Sequence, residues 1–562
     1  MLGWREMSAA RLGTGWFGIP WADNVTITIT ITITNTEPSQ FSFFISNNST
    51  STVAMALLQL DLRLVVIAVV IIALGLLVKS SRAPRITRDG KPLRNPPNTL
   101  PLVGNGILFL QARQKLFTWF THCIHQTGPE TLSITVPSLP PGVIISSPAN
   151  LDFVFRNEST FQKGHFFTHR SHDLFGSGII NVDGELWKLQ RRAGLQFLNR
   201  ENLRGLTEVA LPRVVEESVR RLEREGEEGR VVDLQEVLHE ITTQVMGKMA
   251  YDMEMHVHDD FTKAFEYASG ATAERFQNPL WQIIELFTPG GFKLRRSLAI
   301  VRSQGKQIVS KAVAARANRV KEQRKADEKG DIDQVSGSLI QSLLDSIGDE
   351  KLVADSALNY LSAGRDTVAQ ALTWTFYLLM RHPEFFQKLR EAILGTAGSN
   401  LPLDELLTPQ RLSPTNMPYV LAVFYETLRL YPPIPFEIKQ AQQDTTLPDG
   451  TFLPAISVIV WCPWAMGRSF DIWGSDACDY RPERWLSEDG QVQHRGAAEF
   501  PVFNGGQRLC LGKKMAEEIA VQVIAVLVSK FEFEPAYEGE RESVSSLTLP
   551  MKDGLPVYCR SR

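Results

Sequence analysis

From Leu64 to Val78 the chain reads LVVIAVVIIALGLLV, with no charged or polar side chain. A buried core helix would ordinarily carry a polar face, and this run has none. With Ala56–Gln59 (ALLQ) in front, the segment from about Ala56 to Val78 meets the roughly 17–25 residues that a tilted transmembrane helix needs. A membrane anchor is therefore expected over residues 55–79. Asp61 and Arg63 fall near one interface, and Lys79, Arg82, Arg85, Arg88, Lys91 and Arg94 follow the span. Positive charge favours the cytoplasmic side, so the N-terminus is expected in the lumen and the bulk of the chain in the cytosol. A cleaved signal peptide fits poorly, because no small-residue cleavage site follows and the run lies far from Met1.

Residues 1–54 form a low-complexity tail. Val25–Thr34 (VTITITITIT) alternates as a strand would, in a composition that aggregates when exposed. Asn24, Asn47 and Asn48 each head an N-x-Ser/Thr sequon, which a lumenal tail would present for glycosylation. Met55 stands just before the anchor, so an over-extended start of translation is the other reading. Gly13–Gly18 matches GxGxxG, yet no strand precedes it and no βαβ unit follows, which argues against dinucleotide binding.

The rest of the chain has a globular balance, with 43% hydrophobic and 22% charged residues overall. A net charge of -3 gives no basic surface for nucleic acid. Cys123, Cys462, Cys478, Cys510 and Cys559 are scattered and odd in number, as expected of reduced cytosolic thiols. No CxxC pair suggests a structural zinc site. Residues 80–105 are a basic, Pro-rich connector, ending in RNPPNTLPLVGN (Arg94–Asn105). Beyond it helical periodicity dominates. A long helix is expected over Asp355–Met380, stopped by His382-Pro383, with others over Tyr419–Tyr431 and Lys513–Lys530. A Pro-Asp-Gly turn at Pro448–Gly450 precedes a strand at Ser457–Trp461, and the charged run Asn318–Asp333 reads as a solvated connection. The fold class is mainly α with a minor β part, in one large domain over 106–562.

Phe503–Gly512 reads FNGGQRLCLG. A cysteine thiolate that ligates a metal needs a turn that aims backbone N–H groups at the sulfur. Gly505, Gly506 and Gly512 permit such a path, and the helix that follows presents its positive end to the sulfur. A small buried cysteine beside a loop is the plainer reading of Cys510 alone. Glu426 and Arg429 stand three apart, on one helix face, where they can pair. A buried pair alone gains little against its desolvation cost. Gly364 interrupts a helical stretch at a cost of about 1 kcal/mol relative to Ala, so a local reason is expected there. Thr367 can return its hydroxyl to the Ala363 carbonyl.

Taken together, these segments resemble the cytochrome P450 superfamily. Phe503, Gly506, Arg508, Cys510 and Gly512 occupy the fixed places of its haem-binding signature. Glu426–Arg429 resembles its ExxR, and Asp479–Leu486 (DYRPERWL) resembles its PERF-type segment, which adds Arg484. Ala363–Thr367 (AGRDT) resembles the proton-delivery motif, and Trp187–Arg191 resembles the WxxxR helix. The resemblance implies a P450 fold, a single haem domain behind an N-terminal transmembrane helix. Its cofactor would be haem b (iron protoporphyrin IX), with Cys510 as axial ligand. Trp187, Arg191 and Arg508 would meet the propionates, with Phe503 and Gly512 in the binding loop. Glu426, Arg429 and Arg484 would lock the core. A loosened turn would open a groove over the haem, where Thr367 delivers protons and Asp366 relays them from solvent. One departure stands out: Lys439 occupies a place where relatives often carry arginine, and it keeps the charge without the bidentate geometry.

The implied activity is insertion of one atom of O₂ into a C–H bond of a lipophilic substrate. The chain has no flavin or nicotinamide fingerprint, so electrons from NADPH would arrive through NADPH–cytochrome P450 reductase, with cytochrome b5 a further candidate. Lys188, Arg192, Lys513 and Lys514 are candidate docking contacts. AGRDT and AMGRSFDIWG (Ala465–Gly474) look most like fungal and plant fatty-acid and alkane hydroxylases. By motif position the pocket would include Phe166, Phe167, Tyr360, Ala363, Ile434, Phe436, Leu547 and Leu549. Oxidation of a fungal polyketide or terpenoid is the second reading. A reductase-independent haem-thiolate isomerase or dehydratase is opposed by the intact Asp366-Thr367 pair, and a haem sensor by the complete motif set. The expected place is the endoplasmic reticulum membrane, single-pass, with the catalytic domain cytosolic. His165, His169 and His172 lack a second cluster that would make them a metal site.

Overall fold

The computed structural model describes residues 85–562 apart from 102, 137–138, 328–338, 396–404 and 406, together with two short strands nearer the N-terminus. The expected anchor over 55–79, the three sequons and the Gly13–Gly18 pattern lie outside the described residues. No helix among the described residues is long and apolar enough to cross a membrane. The chain divides into two compact units, Met1–Arg82 and Ala83–Arg562. In the first, Thr28–Thr30 pairs antiparallel with Phe44–Ser46, so part of the alternating repeat is a strand.

The second unit is mainly helical, with small sheets. In chain order, α1 (Arg113–Thr127) is followed by β1 (Leu132–Ile134), β2 (Gly142–Ile144), α2 (Pro148–Arg156) and β3 (Phe161–Gln162). Next come α3 (Gly164–Phe175), α4 (Gly184–Phe197), β4 (Val232–Asp233), α5 (Leu234–Tyr251) and α6 (Asp260–Gln277). Then follow α7 (Glu350–Arg381), α8 (Pro418–Leu430), β5 (Glu437–Ala441) and β6 (Val458–Trp461). The chain ends with α9 (Lys513–Lys530), β7 (Phe531–Pro535) and β8 (Pro556–Ser561). One sheet has the order β1-β2-β6-β5-β3, with β2 and β6 parallel through Val143 and Ile459. A second has the order β7-β8-β4. The connector is not merely extended: Thr87–Arg88 and Lys91–Pro92 form a hairpin paired to Thr451–Phe452. Arg88 there donates to Asp449 in the expected Pro-Asp-Gly turn at 2.7 Å.

Helix α7 begins a turn earlier than the apolar pattern suggests. The Asp349 side chain accepts from the Lys351 and Leu352 amides at 2.9 and 3.0 Å, which caps the start. Pro383 ends it, as expected. The loosened turn expected at Gly364 is not formed, and α7 is helical throughout. Its glycine serves close packing instead: a Cβ there would lie 2.5 Å from Met246 Sδ on α5. The charged run from Asn318 starts inside a long helix, Pro289–Asp327, rather than in a connection.

The lock behind this core is the Glu426 carboxylate. Arg429 donates to it through Nε at 2.8 Å and Nη2 at 2.7 Å, Arg484 through Nε at 3.0 Å, and Trp485 through Nε1 at 3.0 Å. The Arg481 amide adds a bond of 2.7 Å. Arg429 also donates to the carbonyls of Ala477 at 2.5 Å, Asp479 at 2.8 Å and Gly467. A Cβ on Gly467 would sit 2.0 Å from the Arg429 carbonyl oxygen, so glycine is needed at that approach. Glu426 and Arg429 are fully buried. Arg429→Ala would strand the buried carboxylate, at a cost of about 3–5 kcal/mol. An unfolding free energy from urea titration that falls by that amount is the expected result, and an unchanged value would refute the account.

Candidate functional site

The cysteine loop is held from below by α2. Gly505 and Gly506 press on Phe155: a Cβ would lie 2.2 Å from its ring at Gly505 and 2.1 Å from its carbonyl oxygen at Gly506. Gly506 is also at φ 58°, in the left-handed region. A Cβ on Gly512 would meet only the Met515 methyl, at 3.8 Å, so no protein contact requires glycine there. Asn504 turns the loop at φ 59°, and its side-chain oxygen accepts from the Gly505 amide at 2.8 Å. The Cys510 amide donates to the Phe503 carbonyl at 2.8 Å, closing the loop.

Cys510 lies deep in the unit yet keeps an accessible face. Burial pushes its thiol up. The Gly512 N–H, the Arg191 guanidinium and Lys513 oppose that rise, while Glu517 adds to it. These groups favour the thiolate, and a cation beside the sulfur would complete what they begin. Arg191, from α4, donates to the Leu509 carbonyl at 2.9 Å and stands 5.4 Å from the Trp187 ring. Arg508 lies over the other part of that ring, at 4.3 Å. Trp187, Arg191 and Arg508 thus come together beside the cysteine, on α4 and the loop.

Arg508 is more heavily engaged than its place in the motif suggests. It donates to Glu158 at 2.5 Å, to Asp183 at 2.6 Å and to the Val182 carbonyl at 3.0 Å. Lys439, from β5, donates to the same Glu158 and to the Phe161 carbonyl at 3.0 Å. Burial lowers the Lys439 pKa, and Glu158 counters that. Glu158 and Asp183 belong to no motif, and nothing in the sequence marks them.

On α7, the Thr367 hydroxyl donates to the Ala363 carbonyl at 2.6 Å. Ala363 is exposed and Thr367 half-buried, so this stretch opens to space although Gly364, Arg365 and Asp366 are buried. Asp366 is not at a solvent surface. Its carboxylate accepts from Arg365 Nε at 2.6 Å and Ser362 Oγ at 3.4 Å, while Arg365 also donates to Thr262 on α6 at 3.2 Å. Buried His239, on α5, lies near this pair, and desolvation lowers its pKa to about 4, so it is neutral at pH 7.

The main cavity has about 960 Å³ of free space, its open mouth included. Phe166, Phe167, Phe436 and Leu547 line it, as expected, together with Phe109, Phe120 and Phe276. Four expected wall residues are elsewhere. Tyr360 faces α4, where its hydroxyl donates to the Gln190 carbonyl at 2.9 Å in the gap left by Gly194. Leu549 is core, with its backbone tied to Gln370 and Trp374 of α7. Ile434 and Ala363 do not line this cavity. His165 and His169 stack 5.2 Å apart, and no group of His, Cys, Asp or Glu among the described residues is placed to hold a metal ion.

Residues 95–555 match the family model described as Cytochrome P450. The chain belongs to the cytochrome P450 family. It is 33% identical to Cytochrome P450 CYP94D109 of Paris polyphylla, over 74% of this chain and 84% of that relative. It is 29% identical to Cytochrome P450 94A1 of Vicia sativa, over 83% and 90% respectively. Cytochrome P450 monooxygenase cyp1 of Mycosarcoma maydis is 30% identical, over 83% of this chain and 75% of the relative. The chain is thus a P450 monooxygenase, a family that implies haem, O₂ and electrons from a reductase. The residues present fit that group: a cysteine sulfur with an accessible face, one backbone N–H on it, and a Trp–Arg–Arg cluster beside it.

Gly506→Ala would drive a methyl group into the Phe155 carbonyl and strain the loop, costing about 1–3 kcal/mol. A thermal melt lowered by several degrees, with haem content per chain reduced, is the expected result. Gly512→Ala should leave the melt of the apoprotein unchanged.

Proposed function

We propose that this P450 hydroxylates a lipophilic chain of the fatty-acid or alkane type, with Cys510 as the axial ligand of haem b. The cavity carries this reading: its walls are almost entirely apolar and aromatic, which suits a long hydrocarbon rather than a polyoxygenated skeleton. The likeness of AGRDT and AMGRSFDIWG to fatty-acid and alkane hydroxylases supports it.

Bound haem supplies O₂ activation. The protein's part is to hold charge, exclude water and move protons. Cys510, with the Gly512 N–H on its sulfur, would hold the iron as a thiolate and would supply the electron density that favours O–O cleavage. Thr367 would hold a proton at its hydroxyl, and Asp366, its carboxylate held by Arg365 and Ser362, would take up a proton from solvent and pass it on. Trp187, Arg191 and Arg508 orient the propionate side, with Lys439 as a further cation there. NADPH–cytochrome P450 reductase, and cytochrome b5 as a second donor, would meet the cysteine face. Lys188, Arg192 and Lys514 are exposed on that side of α4 and α9, and Lys513 is half-buried. The segment 55–79 would hold the protein in the endoplasmic reticulum membrane with the haem domain in the cytosol.

Cys510→Ala should abolish the red-shifted band of the reduced, CO-bound protein, and survival of that band would remove Cys510 as ligand. Wild type in reductase-containing microsomes should turn over a panel of saturated fatty acids and alkanes. No product from either would shift the reading to a secondary-metabolite substrate. Thr367→Ala should lower product per NADPH by roughly 10²-fold or less, the low end of general-acid contributions, with peroxide released instead. Unchanged coupling would leave its hydroxyl as a helix-backbone bond alone.

A further inference from the structure

The wall of the main cavity contains one cation, Arg113, the first residue of α1. Arg113 is only 8% exposed, and its Nε has no hydrogen-bond partner. Among the described residues no carboxylate forms an ion pair with it. The one charged influence on it is the Cys462 thiol, which burial pushes up to about 12 and so keeps neutral. Its surroundings are aromatic: the guanidinium carbon is 5.8 Å from the Phe117 ring and 5.7 Å from the Phe436 ring. Those distances sit at the outer edge of useful cation–π contact, so they do not replace a counter-ion. Desolvation lowers its pKa to about 10, which still leaves it charged at neutral pH.

Other buried arginines in the domain have polar partners, and Arg170, which also lacks a carboxylate, donates to the Arg275 and Phe166 carbonyls at 3.1 and 3.0 Å. Arg429 and Arg484 share Glu426, Arg365 pairs with Asp366, and Arg275 pairs with Glu285 at 2.6 Å. Arg113 breaks that pattern, and it does so at the wall of an apolar cavity. Among the described residues, the other side chain there with strong hydrogen-bonding capacity is Gln277, at the end of α6. A planar fork of N–H donors beside an amide is suited to a carboxylate.

We propose that Arg113 is the site that binds the carboxylate of a fatty-acid substrate, with Gln277 as a second donor. This rests on the reading of the cavity as a hydrocarbon site and narrows it from alkanes to chain acids. The chain would then lie along Phe120 and Phe436, so oxidation falls on carbons remote from the carboxylate.

The test uses full-length holoenzyme in lipid nanodiscs and two probes of equal chain length, dodecanoic acid and dodecan-1-ol. Binding is measured by calorimetry and by the ligand-induced Soret shift. Wild type should prefer the acid. Arg113→Met should weaken the acid by roughly 10- to 100-fold, as loss of a charged hydrogen bond implies, and leave the alcohol within about threefold. Arg113→Lys, which keeps the cation if the methionine variant does not fold, should weaken the acid by a smaller factor. Equal acid and alcohol binding by wild type, or an acid preference that survives in either variant undiminished, overturns the role of Arg113 while the hydrocarbon reading stands. Binding of neither probe overturns both.

Discussion

A carboxylate shut away from water holds this domain together. Glu426 accepts from Arg429, Arg484, Trp485 and the Arg481 amide, so every lone-pair direction is used. Without those partners its burial would be prohibitive, and with them it becomes a fixed point. Arg429 then reaches the carbonyls of Ala477 and Asp479, which ties the loops ahead of the cysteine segment to α8. The cysteine loop gains its own footing on α2, because Gly505 and Gly506 let Phe155 approach. Both constraints act on backbone, not on chemistry, yet they decide where a sulfur at residue 510 is held.

The electrostatics near the sulfur divide into two groups. Around Cys510 the Gly512 N–H, Arg191 and Lys513 oppose the cost of burying a thiolate. A short distance along the loop, Arg508 and Lys439 converge on Glu158, with Asp183 as a second acid on Arg508. Lysine in place of arginine is intelligible here. Lys439 is a compact charge at a crowded site, where it donates to Glu158 and the Phe161 carbonyl, and a two-pronged fork has no second carboxylate oxygen to fill.

Along α7 the Asp366 carboxylate is enclosed by protein rather than open to solvent. Asp366 is covered by Arg365, and Arg365 is covered by Thr262 of α6. Gly364 brings α5 close, which places neutral His239 near the pair. The surroundings of Asp366 therefore depend on helices α5 and α6 as well as on α7.

Short contiguous segments carried most of what was legible. The cysteine loop, the Glu–Arg pair and the Trp–Arg helix each place their residues through local geometry, and the structure brings those residues together, whereas the loosened turn expected at Ala363–Thr367 is regular helix. Helix stops at prolines were also readable, since they act within a few residues, whereas the start of α7 and the long helix Pro289–Asp327 were not. What the sequence left open depends on distant partners. Glu158 meets Lys439 and Arg508 across 281 and 350 residues. Tyr360 turns to α4 because Gly194 leaves room for it, and Leu549 is drawn into the core by its backbone bonds to Gln370 and Trp374. Nothing in the sequence singles out Arg113. Only the tertiary structure shows it buried without an acid, because the lack of a counter-ion is a property of everything packed around a side chain and of no single segment.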